Sequence, residues 1–250
     1  MAAPISVRTT PILATLAILL ASCGSSHVPA PSESRPITFE AADGVTLAGR
    51  LFGPDQGSAG VVLSHMAPAD QSSWFAFADR LAGEGYRVLT FDFRGYCPGG
   101  DAGCSEGERT IPDIWQDVLG AIEAIRREGV TRIGLIGASM GGTASLVAAA
   151  KGPEDVDAIV TLSAPTSFEG LEVTPDEVSQ LTGAKLFIAG HSDTIAATAV
   201  QTLYDESVQP KRPLILTTED HGTDILTGNQ SGVAATEILS WLERYLPVSG

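Results

Sequence analysis

The sequence predicts an α/β protein built on a mainly parallel sheet with helices on both faces. Short apolar runs typical of buried strands alternate with segments of helical spacing along most of the chain. An Asp43-Gly44 pair between the two opening strands is a strong hairpin signal. A glycine-flanked serine, Gly137-Ala-Ser139-Met-Gly141, joins a strand pattern to a helix pattern. Together these features indicate strand–helix alternation that begins with an antiparallel hairpin.

The elements follow in this order along the chain. The opening hairpin and six further apolar runs give eight expected strands, at 37–42, 45–52, 60–65, 86–93, 132–137, 158–163, 186–189 and 214–217. Segments with apolar residues at helical spacing predict helices at 71–83, 111–127, 140–150, 195–207 and 233–246. Only residues 164–184 separate the sixth and seventh strands, enough for a loop and one short helix. We therefore expect no large cap domain and an open cleft.

The first 22 residues are predicted to be a leader that is removed from the mature protein. Arg8 is their only charge, and the apolar run that follows is too short to span a bilayer comfortably. The run ends in Leu20-Ala-Ser-Cys23, which resembles the lipobox of bacterial lipoproteins. That resemblance implies lipidation of Cys23 after the leader is cut off. A plain secretory signal is the alternative.

Residues 23–36 are predicted to be the lipidated cysteine followed by a flexible tether rich in Pro and Ser, and residues 37–250 to be a single domain. The formal net charge of −15 argues against nucleic acid as a partner. The negative charge also argues against electrostatic adhesion to anionic lipid. We therefore expect contact with a membrane through a covalent lipid anchor only. We expect an exported protein anchored to a bacterial membrane in the cell envelope.

Two further cysteines, Cys97 and Cys104, lie close together in the sequence. In an exported protein a disulfide between them is the default expectation. A metal site is the alternative, but no third ligand lies nearby.

Three residues in the order Ser139, Asp193, His221 make the chain resemble the α/β-hydrolase superfamily, over nearly all of the predicted domain. Within it the likeness is to serine hydrolases of the esterase and dienelactone-hydrolase type. In that family the nucleophile follows strand five, the acid strand seven and the histidine the last strand. The resemblance implies that Ser139 is the nucleophile, His221 the base and Asp193 the acid that orients it. Glu169 and Glu172 are the substitutes if Asp193 is not the acid. No metal or organic cofactor is implied.

Other ionisable residues near these positions are interpreted as structural and not as catalytic. A histidine at the position of His65 is mostly structural in the family, and His191 lies on the loop of Asp193 without being the expected base. Asp220 and Asp224 flank the candidate histidine too closely to reach its ring easily, so we interpret them as loop or helix-cap carboxylates.

The resemblance also implies an oxyanion hole made of two backbone N–H groups. One belongs to Met140, directly after the nucleophile, and the other comes from the loop after the third strand. The family often has His-Gly-x there, with x as donor, and this chain has His65-Met66-Ala67. The alignment makes Ala67 the donor, with Met66 as the alternative.

The segment Asp92-Phe-Arg94-Gly-Tyr-Cys97 resembles the family's Asp-x-Arg-Gly-x-Gly, with a cysteine in place of the last glycine. Asp92 and Arg94 are interpreted as a buried brace rather than as catalytic groups.

The function that these predictions imply is hydrolysis of a small carboxylic ester or thioester through an acyl-enzyme on Ser139, at the outer side of a bacterial membrane. Two alternatives stay open. One is a peptidase of the same fold that cuts short peptides. The other is a catalytically silent envelope protein that binds a partner or a small lipid.

Overall fold

The computed structural model describes residue 1 and residues 34–55, 57–98, 103–152 and 156–248. The predicted leader, the lipidation of Cys23 and the tether up to residue 33 lie outside the described residues. The strands are β1 (Arg35–Glu40), β2 (Thr46–Phe52), β3 (Ala59–Ser64), β4 (Arg87–Phe91), β5 (Arg132–Ala138), β6 (Ala158–Leu162), β7 (Ser167–Phe168), β8 (Leu171–Glu172), β9 (Ala184–Gly190) and β10 (Lys211–Leu216). The α-helices are α1 (Phe75–Gly83), α2 (Trp115–Arg127), α3 (Met140–Lys151), α4 (Pro175–Gln180), α5 (Thr194–Glu206) and α6 (Ser231–Tyr245).

Eight strands form one sheet in the order β1-β2-β4-β3-β5-β6-β9-β10. The pairs β1–β2 and β2–β4 are antiparallel, and the other pairs in the sheet are parallel. The predicted fold class is therefore confirmed, including the antiparallel hairpin at one edge. Between β6 and β9 the chain forms only the small β7–β8 hairpin and the short helix α4. The described chain therefore has no inserted cap domain between these two strands.

Two hydrophobic layers hold the helices against the sheet. On one face, alternate strand residues such as Val62 and Leu135 pack against α2, α3 and α5. On the other face, their neighbours Val61 and Ile136 pack against α1 and α6. This period-two division within buried strands explains why the strands read as continuous apolar runs.

Several boundaries differ from those predicted. Strand β1 begins at Arg35, two residues before the predicted start. The predicted helices at 71–83 and 111–127 each open with a 3-10 turn, Gln71–Trp74 and Ile111–Asp113, before the α-helix begins. The 3-10 turn Gly222–Leu226 after β10 was not predicted.

Among the described residues no helix is both long and apolar enough to cross a bilayer.

Candidate active site

Ser139 lies at the turn from β5 into α3, at the carboxyl end of the sheet. Its backbone has φ 47° and ψ −118°, a region that non-glycine residues rarely adopt. The Ser139 N–H donates to the Leu162 carbonyl oxygen at 2.8 Å, and its own carbonyl accepts from Gly142 and Thr143. These bonds hold the strained turn in place at the start of a helix, where Ser139 is largely buried.

The glycines on either side of Ser139 are required by close backbone packing. A Cβ on Gly137 would lie 2.3 Å from the Gly141 carbonyl oxygen. A Cβ on Gly141 would lie 2.3 Å from the carbonyl oxygen of Ser64. Helix α3 can therefore approach β3 and β5 this closely only because both positions lack a side chain.

Asp193 and His221 come together although they are far apart in sequence. The His221 Nδ1 and the Asp193 Oδ2 are 2.6 Å apart. Asp193 is the residue that precedes α5, where an aspartate commonly caps its own helix, but its side chain makes no capping bond. The carboxylate is instead directed at the imidazole, an arrangement that fixes the ring's tautomer with the proton on Nδ1.

The Ser139 hydroxyl and the His221 ring are not joined by a hydrogen bond in this structure. Their backbones are nevertheless close, because a Cβ on Gly222 would lie 3.5 Å from the Cβ of Ala138. The His221 side chain is 44% exposed, against 14% for Asp193. The loop that carries His221 thus lies beside the serine turn, and the ring is partly exposed to solvent. In unliganded enzymes such catalytic bonds are often long and tighten only around substrate.

The candidate oxyanion donors have free N–H groups. Within the described part of the chain, no acceptor takes the N–H of Met140, Ala67 or Met66. Met140 begins α3, so its N–H lies at the positive end of the helix dipole. The Met66 side chain packs on the histidine loop, since its Sδ would lie 2.5 Å from a Cβ on Gly222. The structure therefore keeps both predicted donors, and the alternative donor Met66, available.

Both ring nitrogens of His65 form hydrogen bonds with backbone groups of the fold. The Phe93 N–H donates to His65 Nε2 at 3.1 Å, and His65 Nδ1 donates to the Met66 carbonyl at 2.9 Å. Its ring also stacks edge-on against Tyr96. Burial lowers the pKa of His65 to about 4, so the ring is neutral at neutral pH. It braces the loop that carries Met66 and Ala67, as the family resemblance implied.

Asp92 and Arg94 serve two separate braces. Asp92 accepts from the backbone and the side chain of Gln71, and burial raises the pKa of Asp92 to about 6. Arg94 forms paired hydrogen bonds with Asp43 and Asp117, and these bonds lower the pKa of Asp43. Neither residue contacts Ser139, His221 or Asp193. Both stabilise the loop at the rim of the site.

The predicted disulfide between Cys97 and Cys104 is present, and both cysteines are exposed. The residues that flank the two cysteines are also joined, because the Ser105 N–H donates to the Tyr96 carbonyl, so the loop is closed by its backbone as well.

Among the described residues, the side chains of the other candidate carboxylates and of His191 form no hydrogen bond with the Asp193–His221 pair. The Asp220 carboxylate accepts from the Thr218 hydroxyl at 2.6 Å. His191 is exposed, and neither Glu169 nor Glu172 bonds to the imidazole.

Two neighbours of the site carried no sequence signal. The Thr143 hydroxyl donates to the Pro165 carbonyl at 2.6 Å, which ties the loop after β6 to the helix behind Ser139. Ser163 follows β6 with φ 55° and is fully buried, and its N–H donates to Ile188 in β9. Their roles depend on contacts between distant segments, which spacing along the chain does not reveal.

A cleft of about 470 Å³ starts at Thr194, the residue after Asp193, and follows the first turns of α5. Its lining is formed by uncharged residues, namely Pro165, Thr166, Ser167, Thr194, Ile195, Thr198, Ala199 and Thr202. In the described ranges, no group of three or more His, Cys, Asp or Glu side chains is placed to hold a metal ion.

Known proteins resemble this chain at the level of family and fold. The alpha/beta hydrolase fold family matches residues 61–235. The uncharacterized protein YfhR of Salmonella typhi is 30% identical over 128 residues, which cover 48% of this chain and 42% of YfhR. This chain thus spans less than half the length of that relative.

Solved structures share the fold at low sequence identity. The Pyrococcus furiosus esterase Pf2001 has a TM-score of 0.71 and 19% identity, covering 85% of this chain and 91% of that one. A membrane phospholipase A, described as a bacterial virulence factor, has a TM-score of 0.66 and 16% identity, covering 85% and 87%. Since the family match covers well over half of the sequence, the chain belongs to the alpha/beta hydrolase fold family.

Proposed function

We propose that this protein is a serine hydrolase of the esterase or dienelactone-hydrolase type that cleaves a carboxylic ester or thioester. The observation that carries the proposal is the 2.6 Å pair between His221 and Asp193 beside the strained Ser139 turn. A carboxylate that leaves its own helix uncapped to hold an imidazole suits a general base and has no evident structural purpose.

In the proposed mechanism, His221 Nε2 takes the proton of the Ser139 hydroxyl as Oγ attacks the substrate carbonyl carbon. The N–H groups of Met140 and Ala67 stabilise the oxyanion that forms. The tetrahedral intermediate expels the alcohol or thiol, which receives the proton from His221, and leaves an acyl group on Ser139. A water molecule, deprotonated by His221, then attacks the acyl carbon and releases the acid.

The surroundings favour a small substrate without an obligatory charge. The cleft that starts at Thr194, next to Asp193 in the chain, is lined by uncharged residues. We infer that it holds one substituent of the ester. Only the β7–β8 hairpin and α4 lie between β6 and β9, so no inserted domain of the described chain covers the site.

A fluorophosphonate probe tests the nucleophile. We expect wild-type protein to be labelled and Ser139→Ala not to be labelled, with the variant's circular dichroism unchanged. Ser145→Ala is the matched control and should still be labelled, because Ser145 is a buried serine of α3, the helix that follows Ser139, and its hydroxyl donates to the Gly141 carbonyl. Labelling of Ser139→Ala at the wild-type rate would refute the assignment.

A series of p-nitrophenyl esters of increasing acyl length then defines the substrate, with short aminoacyl anilides to test the peptidase alternative. Folded wild-type protein that neither reacts with the probe nor cleaves any of these compounds would favour the silent binding protein.

We also propose that Cys23 is lipidated and that the protein is exported to a bacterial cell envelope, on the likeness of Leu20–Cys23 to a lipobox. Cys23→Ala should move the protein from the membrane fraction without loss of ester hydrolysis. Ser22→Ala, which keeps the cysteine, is the control and should stay with the membrane.

A further inference from the structure

The direction of strand β1 fixes where a tether at the N-terminus would join the domain. Strand β1 is antiparallel to β2, and β2 is antiparallel to β4, so β1 runs in the same direction as β4 and the other parallel strands. Ser34, which precedes β1, therefore lies at the amino end of the sheet. Ser139, Asp193 and His221 follow the carboxyl ends of their strands, at the opposite end.

The distance between these two ends is about half of the greatest reach of the tether. Strands of this sheet span about 20 Å at 3.3 Å per residue. From Cys23 to Ser34 the chain reaches at most about 40 Å when fully extended. To bring the catalytic end to a membrane, the tether would have to run back along the side of the domain, and the volume of the domain excludes part of its conformations.

Charge is also distributed unequally between the two ends. Basic residues stand at or next to the first position of five strands, namely Arg35, Arg87, Arg132, Lys185 and Lys211, and all of these except Arg87 and Lys185 reach the surface. More occur in the last turns of helices, which end at the same side: Arg80, Arg126, Arg127, Lys151 and Arg244. Acidic partners such as Glu128 and Asp157 make this end mixed in charge.

The loops at the catalytic end are almost uniformly acidic. They carry Asp43, Asp70, Glu106, Glu108, Glu169, Glu219, Asp220 and Asp224. The basic residues that the described part of these loops contains are Arg94, which is buried and paired with Asp43 and Asp117, and Arg109. An anionic bilayer surface repels this end and tolerates the other.

We infer that the anchored protein stands with the amino end of its sheet toward the bilayer and its active site facing away. The inference rests on the proposed lipidation of Cys23 and deepens the proposed function. It assigns water-soluble esters as the substrates, and excludes the acyl lipids of the membrane that holds the enzyme.

Energy transfer to the bilayer tests the orientation without relying on hydrolysis. The full chain, lipidated by the cell that expresses it, is reconstituted in phosphatidylcholine vesicles that carry an acceptor dye on some headgroups. One donor dye is attached at Asp55→Cys, at the amino end, where the side chain is 90% exposed. The matched donor is attached at Glu40→Cys, the exposed residue at the far end of β1.

We expect transfer from Asp55→Cys to exceed that from Glu40→Cys by about twofold or more, because the two positions differ in height by about the length of a strand. Equal transfer, or greater transfer from Glu40→Cys, in protein that floats with the vesicles overturns the orientation alone. Protein that does not float overturns the anchor, and the orientation with it.

A second arm tests the substrate class with wild-type protein. Anchoring should leave the hydrolysis of p-nitrophenyl acetate unchanged and should not accelerate the hydrolysis of a long-chain fluorogenic ester embedded in the same vesicle. Acceleration of about tenfold or more relative to Cys23→Ala protein, as expected when enzyme and substrate share a surface, contradicts the inference. Loss of both activities, with orientation intact by energy transfer, refutes the proposed hydrolase and leaves the orientation standing.

Discussion

The carboxylate of Asp193 can act only through the imidazole that it contacts. In Asp193→Asn the amide keeps the shape of the side chain but can present a donor to Nδ1, which favours the wrong tautomer of His221. We therefore expect kcat for a p-nitrophenyl ester to fall by about 10⁴-fold, as for triad acids elsewhere, with little change in stability. Steady-state kinetics together with urea unfolding measure both effects.

Asp220 supplies the control for this substitution. It lies one residue from His221, but its carboxylate accepts from Thr218 instead of the imidazole. Asp220→Asn should leave kcat within about twofold of wild type, since no reacting group is touched. A severe loss in Asp220→Asn with an active Asp193→Asn would reassign the acid.

The buried ring of His65 makes stability depend on pH in a defined direction. An unfolded histidine titrates near 6.5, whereas burial lowers the pKa of folded His65 to about 4. Between these values only the unfolded state binds the proton, so the contribution of His65 is complete above about pH 6.5 and is lost as the pH falls toward 4. The loss between pH 6.5 and pH 5 amounts to about 2 kcal/mol.

A comparison with His65→Gln isolates this effect. The amide can donate to Met66 and accept from Phe93, but it does not titrate. The pKa of Asp92, raised to about 6, gives the opposite trend, because its protonation relieves a buried charge. That contribution is common to both proteins and cancels in the difference. Urea unfolding at pH 7 and pH 5 should show a smaller loss of stability in the variant, and equal losses would contradict the prediction.

Helix α3 and strand β3 depend on each other through one glycine. In Gly141→Ala the new Cβ would meet the backbone oxygens of Ser64 and His65 at 2.3 and 2.5 Å, and backbone cannot rotate away as a side chain can. We expect the free energy of unfolding to fall by about 3 kcal/mol, and kcat by about 10²-fold from displacement of Ser139.

Gly83→Ala tests whether the effect comes from packing. Gly83 ends α1, is exposed, and a Cβ there would meet no atom within 4 Å. The substitution should be neutral or should stabilise by about 0.5 kcal/mol, since alanine restricts the unfolded chain. Urea unfolding of both variants gives the comparison, and similar losses would show that the turn at Ser139 is not tightly packed.

Elements with a strong local pattern could be predicted, and elements defined by long-range contacts could not. The buried central strands were recognised because both of their faces are covered, which makes them apolar runs. Strand β10 begins three residues earlier than predicted because Lys211–Pro213 belong to an exposed edge, where polar residues are tolerated. The β7–β8 hairpin has two residues in each strand, too few to show alternation.

In the candidate site, too, the features with a local sequence pattern could be predicted and those that depend on long-range contacts could not. Chain order selected Ser139, Asp193 and His221, because each follows a recognisable strand. Whether the Asp193 side chain caps α5 or turns to the imidazole depends on where the loop after β10 returns. The position of the loop after β10 depends on the packing of the whole sheet, and the local sequence pattern does not predict it.

The molecule as a whole shows a property that composition hides. The net charge of −15 argued against nucleic acid and anionic lipid as partners but did not show where on the molecule the charges lie. The fold divides the charges, with mixed pairs at the amino end of the sheet and acidic loops at the other. A parallel sheet produces this division readily, since its strand starts and helix ends share one side and its active-site loops share the other.

The extent of the folding unit can be tested by truncation. Strand β1 belongs to it, because Phe39 is buried against Phe91 and the Arg35 guanidinium pairs with Glu128. A truncated chain should keep Ser34, since its hydroxyl accepts a hydrogen bond from Arg50. A chain of residues 34–250 should therefore unfold at the same urea midpoint as residues 23–250 and should keep the same kcat/KM.

A chain that starts at residue 42 removes β1 and exposes the edge of β2. It should lose at least about 3 kcal/mol, the usual cost of removing a buried phenylalanine alone. Its remaining activity should disappear at lower urea, because Arg94 and Asp43 at the rim depend on the turn that follows β1. Equal urea midpoints for the two truncated chains would show that the antiparallel hairpin is an appendage and that the cooperative unit begins at β2.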